Sequence, residues 1–227
     1  MILGTSSEGS AVIKETFRRG LRLGVALLLA HSIGYSKSLP NPHLTITISV
    51  YNDAGVPAGT LRQAEEEAQE VFQQAGIEVR WLHCSPAPIA PEEEKESSAC
   101  REAVYPEHLQ LRIARRPIGL TRATMGISYL SEDGKGCYAD LFYEQMEELH
   151  EKSKVGLASL LGHVVAHETG HLLLGTNSHA PRGIMRSVWE GEELASASKG
   201  VLFFSGSESR QMKKKLAMKA DTRNETR

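Results

Sequence analysis

From residue 43 onward the chain switches between two hydrophobic rhythms. His43 to Tyr51 (HLTITISVY) places apolar and β-branched residues at every second position, the pattern of a strand with one buried face. Thr60 to Ala75 changes to a helical period, with Leu61, Ala64, Ala68, Val71 and Phe72 on one side. Thr60 is the expected N-cap and Gly76 the stop. Ile77 to His83 returns to alternation, so the chain opens β-α-β, for which parallel pairing with a right-handed crossover is the default. His108 to Ala114 is a third strand. Thr124 to Leu130 and Gly136 to Tyr143 are two more, joined across Asp133-Gly134, a hairpin signal. Tyr143 to Lys152 reads as a helix, and Val155 to Leu174 as a long, mostly apolar one. A turn-rich stretch, Thr176 to Gly183, leads to a short helical patch near Ser187 to Ser196 and a last helix over Arg210 to Lys219. Residues 220–227 are polar or small and are expected to form a disordered tail.

Composition narrows the class. With 227 residues, 41% hydrophobic and 24% charged, the chain suits one domain with its own core and is short for two. The formal net charge is -2 and the basic residues are scattered, which argues against a nucleic-acid partner. No apolar run approaches the ~18 residues of a membrane helix. Lys14, Arg18 and Arg19 precede an apolar stretch from Leu21 to Ala30, and the small residues Ser36 and Ser38 stand before Leu39. That is the order of an export signal; the alternative is an N-terminal arm. Residues 1–38 are therefore set apart from a domain over 39–219. Cys84 and Cys100 flank a polar segment holding Pro86, Pro88, Pro91 and Glu92 to Glu94. A bridge between them would close that loop and stabilise by roughly 3 kcal/mol, although spacing alone leaves two free thiols open. Cys137 is left over and reads as a buried small apolar residue.

The chemistry concentrates in the long helix, at His167-Glu168-Thr169-Gly170-His171. Residues four apart in a helix share a face, so His167 and His171 aim two imidazoles at one point, as a tetrahedral metal requires. Glu168 projects beside that point, placed to act as a base rather than as a ligand. Zinc brings the pKa of a water it holds toward ~7, and a neighbouring carboxylate then takes its proton. Gly175 stands where the helix must stop, followed by His179 and by Gly183-Ile184-Met185.

HETGHLLLGTNSH followed by GIM resembles the zinc signature and Met-turn of the metzincin metallopeptidases. The element order before it is similar to the metzincin upper subdomain. The resemblance implies an α+β zincin-like fold: a mixed five-stranded sheet, an active-site helix and a small C-terminal subdomain. It further implies one catalytic Zn2+ on His167, His171 and His179, Glu168 as general base, Gly175 and Met185 as structural support, and a peptide or protein substrate lying along Thr124 to Leu130. The family spacing places Gly seven and the third His ten positions after the first. Here they fall at plus eight and plus twelve, and position plus ten is Asn177. His163, about 12 Å of helix from His171, is too distant to share an ion. Glu190, Glu192 and Glu193 are the alternative source of a downstream ligand, of the gluzincin kind. Ser187 stands where some metzincins have an extra tyrosine ligand. Two other functions fit the same residues: a non-catalytic protein stapled by zinc, and a zinc amidase acting on a non-peptide or cell-wall amide.

Overall fold

The computed structural model describes residues 44–84, 98–116 and 124–225, with side chains as far as residue 218. The expected export signal or arm over 1–38 and the Pro-rich, acidic segment of 85–97 lie outside the described residues.

The sheet has five strands: β1 (Leu44–Tyr51), β2 (Ile77–Cys84), β3 (His108–Ala114), β4 (Gly126–Tyr129) and β5 (Tyr138–Phe142), in the order β2-β1-β3-β5-β4. Every pairing is parallel except β4 with β5, which is antiparallel. This is the mixed sheet expected, with β4 at the edge. The hairpin turns where Asp133-Gly134 predicts it, with Gly134 at φ 74° and Ser131 N–H donating to Lys135 O at 2.9 Å. Alternation assigns the two faces. Ile46, Ile48, Val50, Leu109, Leu111, Ile113, Ala139 and Leu141 point into the core, while Gln110, Arg112, Tyr138 and Asp140 stand on the other side.

Among the described residues, five helices of seven residues or more accompany the sheet: α1 (Ala58–Gln74), α2 (Tyr143–Ser153), α3 (Leu157–Leu174), α4 (Gly191–Ala197) and α5 (Gly206–Glu225). Thr60 is not the N-cap of α1. Pro57 takes that position, extended at φ -56° and ψ 137°, and its carbonyl accepts the Leu61 N–H at 2.9 Å. A proline ring pre-sets φ for the turn into the helix, and no side chain caps the helix here. The backbone of α5 continues through residues 220–225, where the sequence suggests a disordered tail; that stretch has no Gly or Pro to stop it.

α3 is the centre of the molecule, with every residue from Ala158 to Leu173 buried. Such a helix shows no polar face because it has none toward water. Neighbours pack on it closely, and its small residues are what admit them. At Gly162 an added Cβ would stand 2.5 Å from Ala64 O and 2.7 Å from Glu67 Cβ, both on α1. The helix ends at Gly175, left-handed at φ 65°, whose N–H returns to His171 O at 2.8 Å. Lys215 of α5 donates to Leu174 O at 2.6 Å, placing a cation at the negative end of the helix.

Cys84 and Cys100 are bridged, with Cα atoms 5.9 Å apart. Cys137 is free and half-buried at the edge of the core, more exposed than the buried apolar role expected of it, because it precedes β5 rather than lying within it.

Two expected outcomes follow. Thiol counting on unreduced, denatured protein gives one free thiol, that of Cys137; three would exclude the bridge. Alanine normally stabilises a helix over glycine by about 1 kcal/mol. At Gly162 the close approach of α1 reverses the sign, so Gly162→Ala lowers urea stability by about 1–3 kcal/mol. A stabilised variant would mean that the two helices do not meet this closely.

Candidate metal centre

His167 and His171 stand one turn apart on α3, with ring centroids separated by 4.7 Å. Each ring is fixed through its Nδ1. His167 Nδ1–H donates to Ile184 O at 2.6 Å, and His171 Nδ1–H to Thr176 O at 2.7 Å. Both partners are backbone carbonyls beyond the helix, so the segment after Gly175 sets the orientation of both rings. With Nδ1 protonated, each Nε2 carries a lone pair, and these two atoms face each other at 3.1 Å. Two acceptors at that distance repel one another unless a cation lies between them. A tetrahedral ion with Zn–N bonds of about 2.0–2.1 Å holds its nitrogens roughly 3.3 Å apart. The pair therefore fits a zinc-like ion and does not fit a hydrogen bond.

The third histidine reaches the same place. His179 sits 4.8 Å from His171 and 5.5 Å from His167 by ring centroid, and one donor atom from each residue falls within 4.8 Å of the others. Among the described residues this is the one cluster of histidine, cysteine or acidic side chains able to hold an ion. Burial pushes His167 down to about 3, with His171 and His179 adding to the effect, and burial also lowers His171 and His179. Neutral imidazoles are the form that binds metal.

Met185, the residue after the carbonyl that takes the His167 proton, is 1% exposed. An added Cβ at Gly170 would stand 2.8 Å from its sulfur and 2.7 Å from Phe204 Cε1, so glycine at 170 is what lets Met185 pack this closely on α3. Trp189 Nε1–H shares Ile184 O with His167, at 3.1 Å. Ala180 N–H donates to Met185 O at 2.9 Å, tying the residue after His179 to the same turn.

Glu168 lies beside the imidazoles without bonding to them. Burial pushes its carboxyl up to about 7, against a hydrogen bond from Ser128 that lowers it. It opens on a cavity of about 310 Å³ lined by Met125, Gly126, Val164, His167, Glu168, His179 and the segment Arg186 to Trp189. A second cavity, of about 220 Å³, shares Met125, Ser187, Val188 and Trp189 with the first. A larger one, of about 460 Å³, lies on the other face of the sheet among Tyr51, Arg112, Tyr129, Tyr138 and Asp140.

The competing ligands do not come to this point. His163 is fully buried and donates from Nδ1 to Ser159 O at 2.8 Å. Glu193 and Glu190 pair with Arg186 at 2.7 and 3.0 Å, Glu192 is exposed, and Asn177 is exposed. Sequence reasoning missed Ser128, whose signal was a polar residue at an inward position of a strand. It also missed Ile184 O and Thr176 O, for which a sequence holds no signal.

The fold is α+β, a mixed five-stranded sheet packed with helices. It is similar to that of a zinc-dependent peptidase from Methanocorpusculum labreanum, with TM-score 0.51 and 18% identity over 73% of this chain and 99% of that one. An archaemetzincin from Methanopyrus kandleri aligns at TM-score 0.47 and 13% identity, covering 79% of this chain and 99% of that one. No family model and no curated protein matches the chain. At these identities the likeness is one of fold.

His179 and Asn177 are the two candidates in the loop after Gly175, and a pair of variants separates them. His179→Ala weakens zinc binding by at least ~10-fold in competition with a chelating dye, given how few donors remain. Asn177→Ala leaves it unchanged; the reverse ranking would make Asn177 the third ligand.

Proposed function

We propose that this protein is an exported zinc-dependent peptidase, with one zinc on His167, His171 and His179. The observation that carries this reading is the pair of Nε2 lone pairs 3.1 Å apart, beside a buried carboxylate that binds neither ring. Zinc, when bound, supplies Lewis-acid activation of water and of the scissile carbonyl. The residues of this chain do the rest. Glu168 accepts the proton of the attacking water and passes it to the departing amine. Burial of the carboxyl favours the protonated half of that exchange, and the hydrogen bond from Ser128 favours the ionised half.

The substrate is an extended peptide. β4 is the last strand of the sheet and borders the 310 Å³ cavity through Gly126, so a peptide can add to it by backbone hydrogen bonds. The adjoining 220 Å³ cavity then receives a side chain on one side of the cleaved bond. The fold shared with the Methanocorpusculum labreanum peptidase supports this reading. Export belongs to the same proposal. The Cys84–Cys100 bridge needs an oxidising compartment, and the charge and hydropathy order of residues 1–38 matches a signal. No helix among the described residues is long and apolar enough to cross a membrane.

Glu168→Gln tests enzyme against zinc-stapled scaffold. It keeps the shape of the side chain and touches no ligand, so zinc content and melting temperature stay at wild-type values. Hydrolysis of a labelled protein substrate falls at least ~100-fold, within the range of general acid–base contributions. Wild type and variant equally inert across a broad peptide library would favour the scaffold.

A further inference from the structure

Glutamate has three rotatable side-chain bonds, and a base must hold its carboxylate at one place to be effective. Neither His167 nor His171 restrains Glu168, whose hydrogen-bond partner among the described residues lies on the sheet. Gly126 and Ser128 are two apart on β4 and share a face. Their partners on β5 are Leu141 and Ala139, both core residues, so this face looks toward α3. An apolar side chain would be the default at either position. Ser128 is instead 5% exposed, with its hydroxyl 2.7 Å from Glu168 Oε2 and 2.8 Å from Glu168 O. At Gly126 an added Cβ would stand 2.6 Å from both Glu168 Cγ and Oε1.

We infer that Ser128 is a positioning residue for Glu168, and that Gly126 leaves open the space its carboxyl group fills. This rests on the reading of Glu168 as the proton carrier. A hydroxyl has one proton and two lone pairs. Toward a carboxylate, Ser128 donates to Oε2. Once Glu168 holds a proton, Ser128 turns its own toward Glu168 O and accepts the carboxyl proton in a hydrogen bond. One side chain thus keeps Glu168 in place through both states of the exchange, while Oε1 stays free on the side of Gly126. Any side chain at 126 would displace it.

The test uses the full chain, zinc-loaded for kinetics on labelled casein and metal-free for spectroscopy. Ser128→Ala lowers kcat by about 10- to 100-fold, the range seen when partners of site residues are removed, with KM, zinc content and melting temperature unchanged. Ser128→Thr, which keeps the hydroxyl, recovers most of the loss. In a Glu168→Gln background the same Ser128→Ala change costs less than about 2-fold, because its effect runs through the carboxylate. Independently of turnover, the 13C carboxyl resonance of Glu168 in metal-free protein, assigned by its loss in Glu168→Gln, moves in Ser128→Ala and returns in Ser128→Thr. A resonance that stays put, or equal losses in both backgrounds, overturns the inference. A resonance that moves in a protein cleaving nothing upholds the positioning contact and removes the peptidase reading instead.

Discussion

Two imidazole lone pairs held 3.1 Å apart are the constraint on which the centre of this molecule is organised. The arrangement begins with four-residue spacing on one helix, but spacing alone leaves each ring free to rotate and either nitrogen free to carry the proton. What removes that freedom is the pair of carbonyls at Ile184 and Thr176, which take the Nδ1 protons. Both lie in the chain that returns after Gly175, so the helix has to end where it does. Gly175 stops it in a left-handed cap, Thr176 O comes back over His171, and Ile184 sits under His167 with Met185 packed where Gly170 has no Cβ. A cation between the two nitrogens turns a repulsive contact into an attractive one. Ion binding and the folding of residues 175–185 are therefore coupled in free energy, as expected wherever a site is assembled only in the native state.

The same logic explains why a lengthened signature still brings three histidines together. One more residue before the glycine advances the helix by about 1.5 Å and turns it by roughly 100°, which would misdirect a loop of fixed length. The loop here is longer too, and its far end is anchored. Ala180 donates to Met185 O, and Ala180 and Arg186 form a bridge, so His179 is delivered by its attachment to the Met185 segment rather than by its count from His167. Position plus ten, Asn177, is exposed, and its neighbour Thr176 is held to His171 rather than to the Met185 segment. The requirement on the sequence is a fixed start at Gly175 and a fixed finish at Ala180.

Legibility followed the range of the interaction. Strands β1 and β3 and helix α3 could be read because burial on one face, or on all faces, writes itself into local periodicity. The hairpin could be read because a left-handed Gly134 is a single-residue requirement. The Cys84–Cys100 bridge could be suspected but not read, since spacing does not determine which thiols meet. The helix start at Pro57 was displaced from Thr60, because a hydroxyl residue is one of several ways to begin a helix. The carbonyls that orient the imidazoles are the clearest loss: every residue has one, so no residue type marks them. Ser128 is intermediate. Its identity violates the inward alternation of β4, which marks it as unusual, but only the packing of β4 on α3 shows that its partner is Glu168.

That violation belongs to a wider pattern in which the centre of the fold gives up stability. Glu168 is buried with one hydrogen-bonding side chain, its carboxyl pushed up to about 7. Beside it, Ser128 occupies a core-facing position, and His163 Nε2 on the same helix is buried with no hydrogen-bond partner among the described residues. Isolated polar groups in such surroundings cost free energy that apolar side chains of similar size would avoid. A site meant only to staple the fold would close with a fourth protein ligand and need no carboxylate beside it. Leucine at 168 and valine at 128 would pack there without an unsatisfied charge. Natural sequences depart from local consistency where function demands it. The departures here converge on one carboxylate beside the three-histidine cluster, at the edge strand of the sheet, which is where the proposed function needs a proton carrier.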